Sequence, residues 1–215
     1  MSTWIFDRRL ISFLVLPLLA GCLAVPDVAR RDAGVLRKPP ETVAVANRAV
    51  VIGGPPGYCV DRSASRIGGA RPFVLLGSCA SIAGARSAPA PRSPALLTAA
   101  VTDGGPGLVR SLDSLEGFFR SEAGRRALSR VGIADSVQVL ETAVEDGAIF
   151  LRLSDRSEVA GRAVGPEYWR AVLPLNGRIV ALSALSLVDR PLTATQKRRA
   201  LDAFVDRMRR ENPTI

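Results

Sequence analysis

The spacing of apolar positions along the chain changes several times, and each change marks an element. Residues 10–20 are an unbroken apolar or small run apart from Ser12. Residues 23–48 scatter Pro26, Pro39 and Pro40 among Arg30, Arg31, Arg37 and Lys38 and hold neither a helical nor a strand period, which predicts a tether. The pattern becomes legible at residue 49. Ala49-Val50-Val51-Ile52 predicts a strand that bends through Gly53-Gly54-Pro55-Pro56-Gly57 into a second one at Tyr58-Cys59-Val60. Residues 73–82 and 95–101 are further short apolar runs and predict strands. Between them, residues 83–94 are Ala, Pro, Ser and Arg and predict a mobile surface loop.

The period then lengthens. Leu112, Leu115, Phe118, Phe119, Leu128 and Val131 fall on one stripe, which predicts a helix over 111–131. Ser111 is its expected N-cap, Asp113 and Glu116 sit at its positive end, Arg125, Arg126 and Arg130 at its negative end, and Gly132 stops it.

Two hairpins follow. Asp146-Gly147 is a type I′ signal whose register sets Leu140 opposite Leu153, Thr142 opposite Leu151, Val144 opposite Ile149 and, on the other face, Glu141 opposite Arg152. Asn176-Gly177 sets Trp169 opposite Ala184, Ala171 opposite Leu182 and Leu173 opposite Val180. A last helix over 194–211 opens on Thr193 with Gln196 as a capping box. Leu201, Phe204, Val205 and Met208 stripe it, and its arginine-rich opposite face is expected in solvent.

Strands, helix, two antiparallel hairpins and a closing helix predict an α+β domain, an antiparallel sheet with helices packed on its faces. This order over 49–212 resembles the PsbP-like and DcrB-like sandwich of small exported lipoproteins. Gly57-Tyr58-Cys59-Val60-Asp61, Phe73-Val74-Leu75-Leu76-Gly77-Ser78-Cys79 and Tyr168-Trp169-Arg170-Ala171 are also similar to a lipoprotein family of alphaproteobacteria, a resemblance that implies no particular activity.

The N-terminal run is too short to span a bilayer comfortably and reads as the core of a signal peptide, residues 1–21. It closes on Leu19-Ala20-Gly21-Cys22, which resembles the lipobox of bacterial lipoproteins. That resemblance implies cleavage before Cys22, diacylglycerol on its sulfur and an acylated amine, with a tether over 22–48 and one globular domain over 49–215. The plain alternative is an ordinary cleaved signal with Cys22 incidental. Residue 23 is Leu where inner-membrane retention in enteric bacteria uses Asp, so the expected address is the outer membrane, facing the periplasm, with the inner membrane as the alternative.

Charge and composition trim the list of functions. The chain carries 29 Lys and Arg against 20 Asp and Glu, almost all of the basic residues being arginine, and contains no histidine. Missing histidine removes the usual general base, metal ligand and near-neutral switch. No cofactor or metal is expected. Few aromatics interleave with the charges, so nucleic acid is not an expected partner, and the excess charge reads as serving anionic headgroups or nothing specific. With Cys22 acylated, Cys59 and Cys79 remain as a pair in an oxidising compartment. A turn about Gly68-Gly69-Ala70 sets them opposite one another and a turn nearer Ser65 does not, so a disulfide is favoured over two buried thiols without being required.

Other candidate chemistry reads as structure. Gly77-Ser78-Cys79 echoes a cysteine-protease nucleophile but has no base to activate it. The glycine-rich bend at 53–57 lacks a P-loop ending. The carboxylates Asp113 with Glu116, and Glu141 with Glu145 and Asp146, cap a helix and flank a turn. Glu167, Tyr168, Trp169 and Arg170 are weighed as a cleft lining against core packing of Trp169. The leading expectation is therefore a non-enzymatic, membrane-anchored lipoprotein that binds an envelope protein or aids envelope assembly. A small-ligand or lipid binder is the alternative, and a hydrolase a distant third.

Overall fold

A computed structural model describes residues 38–92, 94–104, 112–157 and 163–213. The signal peptide, Cys22 and Ser111 lie outside them. Among the described residues nine strands and four α-helices follow in the order β1 (Thr42–Val45), β2 (Val50–Gly53), β3 (Tyr58–Arg66), β4 (Phe73–Ser78), α1 (Cys79–Ala83), β5 (Leu96–Asp103), α2 (Leu112–Arg120), α3 (Glu122–Leu128), β6 (Val137–Glu145), β7 (Ala148–Asp155), β8 (Val164–Leu175), β9 (Arg178–Leu187) and α4 (Ala194–Glu211). β3 to β9 form one antiparallel sheet in the order β3-β4-β5-β9-β8-β7-β6, and β1 and β2 form a separate hairpin. The architecture is α+β, with strands outweighing helices.

Both faces of the sheet carry core. On one, Val74, Leu76, Leu97, Ala99, Phe150, Trp169, Ala171, Leu182 and Ala184 meet Leu201, Phe204, Val205 and Met208 of α4 and Val50 and Ile52 of β2. On the other, Ile149, Leu151, Leu153, Tyr168, Val172 and Leu185 meet Leu115, Phe119 and Leu128 of α2 and α3. β7 is buried on both sides because it lies inside a sheet covered twice at that end.

Turn chemistry fixes the register. Asp146 and Gly147, and Asn176 and Gly177, all adopt positive φ, as type I′ turns require. The second hairpin pairs Trp169 with Ala184, Ala171 with Leu182 and Leu173 with Val180, as expected. The first pairs Glu141 with Arg152, Thr142 with Leu151 and Val144 with Ile149, but Leu153 faces Val139, not Leu140. A bulge at Leu140 absorbs one residue and shifts everything beyond it. The expected core face also thins out at its turn end, where Val144 is exposed.

Three other expectations are corrected. The stripe over 111–131 forms two helices rather than one. Ser121 interrupts them and caps α3 through its side chain, accepting from Gly124 N–H, and the chain folds back so closely that a Cβ on Gly124 would lie 2.0 Å from the Phe118 carbonyl oxygen. Phe118 and Val131 are consequently left exposed. The run 73–82 is a strand only to Ser78, whose hydroxyl accepts from Ser81 N–H and starts α1. The stretch read as tether contains β1, so the folded domain begins before residue 49. Its turn holds Ala46, Asn47 and Arg48 at positive φ, a conformation with no glycine to announce it, pinned where Asn176 Nδ2 donates to Ala49 O at 3.0 Å.

α4 is anchored at both ends. Thr193 and Gln196 form the capping box. At the far end Asn212 behaves like a strand partner: its Oδ1 accepts from Val51 N–H at 2.8 Å and its Nδ2 donates to Val51 O at 2.8 Å. The outer face of α4 is less solvated than expected. Lys197 is buried and donates to Glu167 O at 2.8 Å, and Arg198 lies 4.0 Å from the Phe150 ring centroid while pairing with Glu145 and Asp202. The segment 83–94 is irregular beyond α1 but is tied down: Ala80 N–H donates to Pro89 O at 3.1 Å, and Ala90 and Pro91 pack on Gly57.

Candidate functional site

Cys59 and Cys79 are joined in a disulfide with Cα atoms 4.8 Å apart. Antiparallel pairing of β3 with β4 brings Cys59 opposite Gly77, and Cys79 N–H donating to Gly57 O at 2.9 Å closes the end of the ladder. Both cysteines are buried. The crosslink thus ties the edge strand β3 to the start of α1 and stabilises the domain by about 3 kcal/mol in the chain-entropy account.

The carboxylates singled out in the sequence do not converge. Glu116 accepts from Thr142 Oγ1 and pairs with Arg120, Glu141 pairs with Arg152 at 3.2 Å, and Glu145 pairs with Arg198 at 2.6 Å. The Asp113 side chain lies outside the described part. Among the described residues no three His, Cys, Asp or Glu side chains gather closely enough to share a metal ion. Trp169 is core, as is Tyr168, whose ring carries Arg130 at 5.1 Å and Arg170 at 5.3 Å from its centroid.

One polar cluster escaped the sequence reading. Asp155 is fully buried at the end of β7 and accepts from Arg130 N–H at 3.0 Å, Ser157 N–H at 2.8 Å and the Ser157 hydroxyl. The network continues from Ser157 Oγ to Ser136 Oγ and on to Ser129 Oγ. Burial works against ionising Asp155, but the Ser157 and Arg130 hydrogen bonds and the Arg130 charge outweigh it and hold the carboxyl below its ordinary value. A carboxylate held ionised without a histidine is a poor base, and the arrangement pins the α3 end to the β6–β7 end. Because the folded pKa is depressed, this stability is present above the unfolded value near pH 4 and is lost as pH falls through the folded one. Asp155→Asn is expected to cost about 2–3 kcal/mol at pH 7. Urea unfolding should show that deficit shrinking below about pH 4; a deficit independent of pH would mean that the charge contributes nothing.

The surface that stands out is the half of the second sheet face that no described helix covers. α2 and α3 pack over β6 and β7. Across β4, β5 and β9 the same face carries Phe73, Leu75, Leu96, Thr98, Ala100 and Ala181, all half-buried. Strand register lines them up in two transverse rows: Phe73, Ala100, Ala181 and Val172 in one, Leu75, Thr98, Ser183 and Arg170 in the next. The floor of small side chains between larger ones makes a shallow trough. Arg170 lies at its margin, donating from Nε to Ser183 Oγ at 3.1 Å, with no carboxylate partner among the described residues.

Three clefts accompany the trough. One of about 230 Å³ continues it toward α1, floored by Leu75, Gly77 and Leu96, walled by Ile82 and rimmed by Asp61 and Arg190. A second, about 460 Å³, lies at β6 between Arg120, Arg125 and Arg156. A third, about 690 Å³, lies beside β3 and is lined by Lys38, Pro40, Asp61, Arg62 and Ile82. Only the first is mainly apolar, and it falls below the ~300–1,000 Å³ of typical small-molecule sites.

No family model, curated protein or solved structure matches this chain. The functional argument therefore rests on the trough, the clefts and the charges. The trough was hidden in the sequence because the alternation within β4 and β5 says that one side chain in two faces each way, not which neighbours cover them. No described helix is long and apolar enough to cross a membrane.

Proposed function

We propose that the chain is a membrane-anchored lipoprotein of the periplasm, held by lipid on Cys22 at the outer membrane, whose domain is a non-enzymatic module that binds an envelope protein. The observation that carries the binding reading is the trough. Half-buried apolar and small residues on three adjacent strands form a contiguous surface of the kind that protein partners cover. The anchor reading rests on Leu19-Ala20-Gly21-Cys22, and the Cys59–Cys79 disulfide is consistent with an oxidising compartment. We read the fold as a variant of the PsbP-like and DcrB-like sandwich, on element order. The small volume of the apolar cleft beside the trough favours a protein partner over a small ligand, and the serines around Asp155 lack the base a hydrolase needs.

Photo-crosslinking in intact cells tests the binding reading. A crosslinker at Thr98 is expected to capture one discrete partner, and one at the exposed Arg199 on α4 is not. Ala181→Arg should lower the Thr98 yield at least tenfold by placing an unpaired charge in the contact. Equal capture from both positions, or none from Thr98, would remove the trough as an interface.

A further inference from the structure

The net positive charge is not spread evenly. Residues 38–92 contain seven basic and two acidic residues, whereas residues 93–215 contain seventeen and fifteen. Apart from Arg48, which lies in the β1–β2 turn, the fold gathers the first group at one side, because these residues belong to β3, the edge strand of the sheet, to its turn into β4, to the segment after α1 and to the entering chain. Neither acidic residue is left to offset them. Glu41 pairs with Lys38 at 2.7 Å, and Asp61 accepts from Ser63 N–H, the Ser63 hydroxyl and Ala64 N–H. Arg62, Arg66, Arg71, Arg86 and Arg92 are exposed, and none makes an ion pair among the described residues. Toward the opposite edge, Arg120, Arg126, Arg152 and Arg198 are each paired with a carboxylate, whereas Arg125 and Arg156 on that side make no ion pair among the described residues.

The chain enters the domain on this same side. Val60 N–H of β3 donates to Pro40 O at 2.7 Å, and Lys38 lines one cleft with Arg62. Fifteen residues separate Cys22 from Lys38, a reach of at most about 58 Å. Building on the anchoring reading, we propose that the β3 edge is the side the domain turns to the bilayer, with Arg62, Arg66 and Arg71 among anionic lipid headgroups. Between these arginines, Ser63, Ala64, Ser65, Gly68, Gly69 and Ala70 are small and Ile67 is half-buried against the core, so the edge offers neither an aromatic platform for bases nor a protruding large apolar anchor for a protein. Unpaired cations on a surface without anchors recognise diffuse negative charge, which a headgroup layer supplies. The trough's transverse rows lie on a sheet face rather than on this edge, so both surfaces can be occupied together.

The test uses the full chain as processed in a bacterial envelope, reconstituted into vesicles of phosphatidylcholine alone or mixed with phosphatidylglycerol. Amide hydrogen exchange over residues 58–72 is expected to slow several-fold on the anionic vesicles at about 0.05 M salt and to recover at about 0.5 M. R62S/R66S/R71S should abolish the slowing, each arginine contributing roughly fivefold to the docked-to-free ratio, with its thermal unfolding unchanged because all three side chains are exposed. Equal exchange on both vesicles, or slowing confined to α4, overturns the docking. So does single-stranded DNA that protects the same segment more strongly than the anionic vesicles. The anchor is read separately, by flotation with the neutral vesicles. A chain that floats there without an exchange difference loses only the docking, and one that stays behind loses the anchor.

Discussion

Phe204→Ala is expected to lower the unfolding free energy by about 3–5 kcal/mol, the range for deleting a fully buried aromatic ring. Phe204 has no exposed surface and sits in the middle of α4. That helix covers β8 and β9 on one side and β2 on the other, so the cavity would open where three elements meet. Collapse into it is obstructed. The capping box fixes one end of the helix, and Asn212 bonded to both Val51 backbone groups fixes the other. A helix held at both ends cannot slide to fill a void, which places the cost toward the upper part of the range. Phe118→Ala is the control: this ring is 42% exposed on α2, and its loss should cost under about 1 kcal/mol. Chemical denaturation of both variants decides the matter, and a Phe204→Ala penalty no larger than that of Phe118→Ala would mean that α4 does not close the core as described.

Elements whose determinants are local were legible from the sequence. Asn176-Gly177 and the flanking alternation fix the β8–β9 register to the residue, and Thr193 with Gln196 fixes the start of α4, because turn and cap chemistry act within four residues. Features set by contacts between distant segments were not. The bulge at Leu140 leaves no mark in an alternating pattern. The break at Ser121 depends on the approach of Gly124 to Phe118, and Ser121-Glu122 was readable only as a second cap inside an apparently continuous stripe. β1 has a turn at positive φ without glycine, so neither of its ends was signalled. Lys197 reads as part of a solvated helix face and is buried because a backbone carbonyl, Glu167 O, is available 2.8 Å away.

The same distinction applies to the candidate surfaces. Cys59 and Cys79 were open to two geometries, directly opposite or several residues apart, and neither is the one adopted: the β3–β4 register sets Cys59 opposite Gly77, and the bond is made to Cys79 just past the end of the ladder. The trough required the order β4-β5-β9, which joins strands far apart in sequence. The charge asymmetry was present in the sequence, but it becomes a surface only because the edge strand β3 carries Arg62 and Arg66 and the turn that follows it carries Arg71.

Under the proposed anchor, Cys22→Ala is expected to move essentially the whole population from a detergent-requiring membrane fraction to one released by salt. Each buried methylene of an acyl chain contributes about 0.8 kcal/mol, so diacylglycerol and an amide-linked chain together hold the protein beyond any exchange on a cellular timescale. The arginines of the β3 edge contribute at most about 1 kcal/mol each near an anionic surface, and that contribution is screened within a Debye length of about 8 Å at physiological ionic strength. The two terms therefore separate by treatment. Wild-type protein should stay with membranes through a high-salt wash and leave only with detergent, whereas Cys22→Ala protein should leave with salt. Carrying R62S/R66S/R71S in the Cys22→Ala background should leave the chain soluble before any wash. Mass spectrometry of the wild-type N-terminus supplies the independent check, since thioether-linked diacylglycerol and an N-acyl chain add a mass that no other processing of Cys22 would give. An unmodified thiol on wild-type protein that still resists salt would place the attachment elsewhere in the chain and remove the reason for orienting the β3 edge toward the bilayer.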